Sequence, residues 1–419
     1  MNQHKFKKFF AIIIFASFAF SFGGYASAQT AKKPIKIGLL YDLTGLYAVL
    51  GKDLQSGATT WIDWANSQGG IKGHPIQLVS LDSQSDATKA ALAVRKLIEV
   101  ENVHALAGCN NTGIALAVGP VCENGKTTFV TATGSEVFEQ ELKPYWSFRS
   151  CTTTWEMVDW GFGSLKNLDP NIKNLAILYH GVAFGKQAVQ MAERYAPMRG
   201  LKIVAVEKYE PTATEFGAQI SSIMKANPDA VAVYCSDLAG PLAMKQMREM
   251  GMNKPIVTNG AISAKATRDA FKDAFSIPPY VYSSGTKSDV WRQLPKDSVD
   301  YKVIAPVASR FEEKYKEQYT WFNHLAVINM LLITNSIERA LNADPNLLDR
   351  DLQTIRTAIR DKVESIKDFP CGGILTGSPK DHNVLQAGSI IATFHFENGK
   401  IVHDPKLSNI KLNPPPPIN

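Results

Sequence analysis

Short apolar runs of four to eight residues alternate with segments of helical period along most of the chain, and this alternation restricts the fold more than any other feature. Ile35-Lys36-Ile37-Gly38-Leu39-Leu40 reads as a strand. Leu54, Ala58, Trp61, Ile62 and Ala65 follow at helical spacing, and Gly69-Gly70 ends that helix. Strand-like runs recur at Ile76–Val79, Val103–Ala107 and Thr128–Thr131, separated by helices around Val94, Leu97 and Ile98 and over Gly113–Glu123. A second block repeats the scheme. Its strands are at Leu175–Tyr179, Lys202–Tyr209, Ala230–Tyr234 and Ile256–Asn259, and its helices at Gly185–Met198, Glu215–Ala226 and Leu238–Met250. Such βαβα order implies right-handed crossovers on parallel sheets. Two blocks imply two Rossmann-like lobes, with a ligand expected where the C-terminal strand ends of the lobes face each other. Further helices are expected at Asn323–Asn342 and Leu348–Ile366. A hairpin is expected around Glu397-Asn398-Gly399, because Asn-Gly favours the tight turn.

The N-terminal segment has a different character. Lys5, Lys7 and Lys8 precede the apolar stretch Phe9–Phe22, and Ala26-Ser27-Ala28 follows. This is the pattern of a secretory signal peptide cut after Ala28. The apolar stretch is shorter than the roughly 20 residues of a membrane span. These three lysines supply half of the formal net charge of +6, so the rest of the chain gives no reason to expect a nucleic-acid partner. Export to the periplasm is expected. In that compartment Cys109, Cys122, Cys151, Cys235 and Cys371 are expected to form one or two disulfides.

No catalytic signature is present. The chain lacks a dinucleotide or P-loop glycine pattern, a nucleophile elbow and an H-E-x-x-H motif. His74, His180, His324, His382, His395 and His403 are scattered without a nucleophile motif beside them. No spacing of cysteine or histidine suggests a metal. Binding without chemistry, and without a cofactor, is the reading. An exported α/β enzyme would need a constellation that is missing.

Four ordered segments carry a family resemblance. They are Ile37–Gly45 with Gly51 and Gly57-Ala58; Gly69–Ile76; Leu106-Ala107-Gly108 with Ala115–Val118 and Phe129–Ser135; and Phe184-Gly185 with Thr214–Phe216 and Pro228–Val231. With these the chain resembles the branched-chain amino acid (Leu/Ile/Val)-type periplasmic substrate-binding proteins of ABC transporters. The resemblance implies the type I periplasmic binding protein fold, with three crossovers and a cleft that closes by hinge motion. It also implies delivery of a small molecule to a membrane permease, with the chain acting as a monomer. The crossovers are expected near Ser150, Tyr282 and Gly372. The first lobe is then 29–150 plus 283–371 and the second 151–282 plus 372–412, followed by a Pro-rich tail at 413–419.

By the same resemblance, the loops Cys109–Gly113 and Ala132–Ser135 hold a ligand carboxylate. Asn111, Thr112, Thr133, Gly134 and Ser135 are its candidates, and hydroxyls at a helix N-terminus suit an anion. Helix capping alone would use the same groups. Phe184 stands where many relatives place Tyr. Asp237 lies in another loop expected to face the ligand. Tyr47, Leu50 and Trp155 are further candidates for the cleft wall. The acid that pairs a ligand ammonium in amino-acid binders is absent from Thr258-Asn259-Gly260-Ala261. Either Asp237 takes that role or the ligand has no amine. An aromatic or apolar carboxylate is favoured, with a branched-chain or other hydrophobic amino acid as the alternative. A soluble periplasmic sensor of amides, urea or organic acids is a third reading. Neighbouring permease and ATPase genes would favour transport, and a two-component pair would favour sensing.

Overall fold

The computed structural model describes residues 32–416; the expected signal peptide lies outside them. Two sheets organise these residues. In the first, β1 (Ile35–Tyr41), β2 (Ile76–Asp82), β3 (Ala105–Gly108), β4 (Phe129–Thr131) and β5 (Ser147–Arg149) run parallel in the order β2-β1-β3-β4-β5. In the second, β6 (Asn174–His180), β7 (Lys202–Tyr209), β8 (Ala230–Tyr234), β9 (Ile256–Asn259) and β10 (Val281–Thr286) are parallel. The hairpin β13 (Ile391–Glu397) and β14 (Lys400–His403) joins this sheet antiparallel, beside β10. The order is β14-β13-β10-β9-β8-β6-β7.

The crossover helices are those expected from parallel pairing. In the first lobe they are α1 (Ala48–Ser67), α2 (Ala87–Glu99), α3 (Thr112–Asn124) and the short α4 (Val137–Leu142). α5 (Thr154–Leu168) leads from the first sheet to the second, where the crossover helices are α6 (Ala183–Met198), α7 (Gly217–Lys225), α8 (Ala239–Glu249) and α9 (Lys265–Phe275). The chain then forms α10 (Val299–Tyr315), α11 (Trp321–Ala343) and α12 (Leu352–Glu364). Residues of α10, α11 and α12 share one apolar core with Leu50, Leu54, Ala58 and Ile62 of α1, so this return belongs with the first sheet. The two-stranded ribbon β11 (Phe369–Pro370) and β12 (Ile374–Leu375) packs into the same core through Leu375. Among the described residues no helix is long and apolar enough to cross a membrane.

At two of the expected crossing points the pairing continues past the expected residue. Tyr282 lies inside β10, whose residues through Thr286 pair with β9 or β13, so the chain leaves the second sheet four residues later than expected. Gly372 packs against His324 and Ile304, Leu385 bridges Leu375, and Asn383 bridges Arg149. The chain therefore stays with the first lobe until the approach to β13. We propose crossings after Arg149, after Thr286 and between Leu385 and Ile391. The start of the tail lies along the second lobe: Asn413 bonds to Asp159 and the Pro414 carbonyl accepts from Tyr195.

The expected disulfides are absent. All five cysteines are buried free thiols, distributed over three separate apolar cores. Burial raises all five thiols above their ordinary value, Cys151 and Cys371 to about 12. They behave as small core hydrophobes.

Candidate functional site

A cleft of about 290 Å³ lies where the two sheets present their C-terminal strand ends. The first lobe lines it with Tyr47 and Leu50 beyond β1, Ser85 beyond β2, Asn110–Ile114 beyond β3 and Gly134 beyond β4. The second lobe answers with Val182, Ala183 and Phe184 beyond β6, Cys235 and Ser236 beyond β8, and Asn259 and Ala261 beyond β9. Cys151, Met157 of α5, and Trp321 and Phe322 at the start of α11 complete the wall.

The polar end is built on the close approach of β3 to β1. Gly108 has φ +149°, and a Cβ there would lie 2.1 Å from the Leu40 carbonyl oxygen. Without that side chain, Cys109 N–H reaches the same carbonyl at 2.9 Å and the loop turns into α3. Asn111 caps α3, its side chain accepting from Ile114 N–H at 3.2 Å. The N–H groups of the first turn have no partner within the helix, and they lie at the cleft wall with the Thr112 hydroxyl. Thr112 Oγ1 lies 3.1 Å from Thr133 Oγ1. Burial raises the Tyr47 phenol above its ordinary value, and the neighbouring Asn111 side chain offsets part of that rise. This end can accept an anion through hydroxyls, amides and N–H dipoles. The remainder of the wall is aromatic, aliphatic or sulfur-bearing. Trp321 and Phe322 stack with centroids 5.4 Å apart. No residue of the lining carries a charged side chain.

Six of the ten expected site residues meet at this cleft: Tyr47, Leu50, Asn111, Thr112, Gly134 and Phe184. The other four lie off this lining. Thr133 is fully buried behind the wall, where it contacts the Thr112 hydroxyl. Ser135 is also fully buried, and its hydroxyl donates to Gln187 Oε1 at 2.5 Å. Trp155 packs in the second lobe, with its ring stacked on Tyr195. Asp237 is buried among internal partners. It lies 3.0 Å from His180 Nδ1 and accepts from the Tyr209 hydroxyl at 3.2 Å and from Gly240 N–H at 3.0 Å. Its oxygens are engaged within the second lobe, and its carboxylate also adds to the rise of the Tyr47 phenol on the cleft wall.

Asn259, the polar residue after β9, lines the cleft but is engaged with the Cys235 backbone, donating at 2.8 Å and accepting at 3.1 Å. Met157, Trp321 and Phe322 went unrecognised in the sequence because they lie in the first turns of α5 and α11 rather than in the strand-end loops. Their one signal is aromatic and thioether bulk at helix starts. Among the described residues no group of His, Cys, Asp or Glu is arranged to hold a metal.

A family description, "Periplasmic binding protein", matches residues 34–393. The chain belongs to the periplasmic binding protein family. It is 24% identical over 254 residues to "Leu/Ile/Val-binding protein homolog 7" of Brucella abortus (strain 2308), covering 58% of this chain and 63% of that protein. It is 26% identical over 248 residues to homolog 8 of the same strain, covering 56% and 60%. The chain thus spans a little under two-thirds of the length of these curated relatives. In fold it is similar to an extracellular ligand-binding receptor from Rhodopseudomonas palustris HaA2, with TM-score 0.79, 22% identity, and coverage of 89% of this chain and 100% of that one. It is similar also to the branched-chain amino acid transporter substrate-binding protein LivJ of Streptococcus pneumoniae, solved with isoleucine. There the TM-score is 0.73 and the identity 20%, over 89% and 100% of the two chains.

Proposed function

We propose that the chain is an exported solute-binding protein of an ABC importer, closing its lobes on a small carboxylate with an apolar or aromatic body and passing it to the membrane permease. One observation carries the ligand class. The cleft offers an N-terminal helix turn with hydroxyls for an anion, but no charged side chain in its lining. A carboxylate is served by that turn. A buried ammonium would meet no charged partner in that lining, and an unpaired buried charge costs several kcal/mol. Hinge closure then follows from differential contact, since a ligand touching both walls favours the state in which both are near. The binding role calls for no catalytic group.

The second reading is a hydrophobic amino acid, favoured by the names of the relatives, which are Leu/Ile/Val-binding homologues. In that case neutral acceptors such as the Tyr47 and Ser236 hydroxyls would hold the amine. A thermal-shift panel of small organic acids and amino acids tests the proposal: stabilisation by apolar carboxylates supports it. Stabilisation by no acid of either kind overturns it. Thr112→Val should weaken carboxylate binding about tenfold and leave the fold intact.

A further inference from the structure

Ser135 and Gln187 join the two lobes directly behind the cleft. Ser135 follows Gly134, which lines the first-lobe wall. Gln187 lies one turn beyond Phe184 on α6, and Phe184 lines the second-lobe wall. The Ser135 hydroxyl donates to Gln187 Oε1 at 2.5 Å, and Thr154 Oγ1, at the start of α5, donates to the same oxygen at 3.0 Å. Thr154 also lies 3.2 Å from the Gly134 carbonyl. Ser135 is fully buried and Gln187 is 3% exposed, and neither lines the cleft.

From this we propose that Ser135 and Gln187 are positioning residues, a latch whose hydrogen bond fixes the separation of the Gly134 and Phe184 walls and so holds the closed cleft. The inference rests on the hinge-closing reading above, but not on which ligand is bound. When the lobes part, water replaces both partners, so the bond contributes to the closed state alone. Removing Ser135 leaves Gln187 Oε1 with Thr154 as its one donor, and removing Gln187 leaves the buried Ser135 hydroxyl without its acceptor in that state. The closed population falls, and apparent affinity falls with it by the same factor.

The test attaches spin labels at two exposed positions, Leu92 of α2 and Met224 of α7, and measures the distance distribution with and without phenylacetate or phenylacetamide. Ser135→Ala and Gln187→Leu are each expected to lower the ratio of the short to the long distance by about three- to tenfold. The double variant is expected to lower it no further than Gln187→Leu alone, since that change already removes the Ser135 bond along with the Thr154 one. Affinities for the acid and the amide are expected to fall by the same factor. An unchanged distribution, or single effects that multiply in the double variant, would overturn the latch. A loss confined to phenylacetate would overturn it too, by making Ser135 a carboxylate contact. If Gln187→Leu does not fold, Gln187→Asn, which withdraws the amide by one methylene, takes its place. If neither probe binds, the ligand-free distribution still decides the latch, while the carboxylate proposal fails separately.

Discussion

Gly260 is the position at which one added methyl group should do the most damage. It follows β9 in the second lobe and lies under the ring of Trp321, which belongs to the first lobe and lines the cleft. A Cβ at Gly260 would lie 1.7 Å from Trp321 Cε3 and 1.9 Å from Cζ3. Ordinary carbon contacts are about 3.5–4.0 Å, so the ring must retreat by roughly 2 Å. Its backbone cannot follow easily, because Trp321 N–H is held by Asp289 Oδ1 at 2.9 Å and the ring stacks on Phe322. Overpacking of this kind costs about 1–3 kcal/mol. Urea unfolding of Gly260→Ala should show a lower midpoint with an unchanged slope. Because Trp321 lines the cleft, the displaced ring should also reject bulky ligands more than small ones. Phenylpropanoate should lose more affinity than 3-methylbutanoate. Gly217→Ala is the control: no atom lies within 4 Å of its added Cβ, and stability should be equal or slightly higher. An unchanged midpoint and unchanged affinities for Gly260→Ala would refute the cross-lobe packing.

Three further outcomes follow from buried groups. His324, between the Tyr319 hydroxyl and the Cys371 carbonyl, is held neutral by burial, with its pKa lowered to about 4. Its contribution to stability is present above its unfolded pKa near 6.5 and is lost as pH falls toward 4; His324→Asn should flatten the fall in urea midpoint between pH 7 and pH 4.5. Asp53 is raised to about 6 by burial, although it accepts from Lys265 N–H at 2.9 Å. The native state holds that proton where the unfolded chain has released it, so this group lowers stability as pH rises from about 4 to 6, and Asp53→Asn, which keeps an acceptor, should remove that part of the pH slope. Finally, the native chain should expose no reactive thiol to Ellman's reagent and the unfolded chain all five; fewer than five on unfolding would mean that a disulfide had formed.

Much of the fold was legible because parallel strands buried on both faces read as continuous apolar runs. Ala230–Tyr234 and Ile256–Asn259 lie where the periodicity places them. The hairpin at Glu397–Lys400 follows from Asn-Gly, with both residues at positive φ. What failed was polar structure. β10 reads Val-Tyr-Ser-Ser-Gly-Thr, and its buried hydroxyls hid a strand there. α5, α9 and α10 also went unrecognised as helices. At the site, the loops after strands were legible, since Tyr47, Asn111, Thr112 and Phe184 all reach the cleft. The depth of Thr133, Ser135 and Asp237 was not, because a hydroxyl or carboxylate bonded inward looks the same in sequence as one facing a ligand. Trp321 and Met157 reach the wall through tertiary packing of helices, which no local pattern encodes.

The proposed preference for a carboxylate rests on a cleft lining without a charged partner for an amine. Titration calorimetry on a matched pair tests it most directly: 4-methylpentanoate against leucine, which share the carboxylate and the branched body and differ at the α-amine. The arrangement of Asn110–Ile114, with Asp237 engaged by His180, predicts that the acid without the amine binds at least about tenfold more tightly. Tighter binding of leucine would contradict the account and show that neutral acceptors in the cleft suffice for an ammonium.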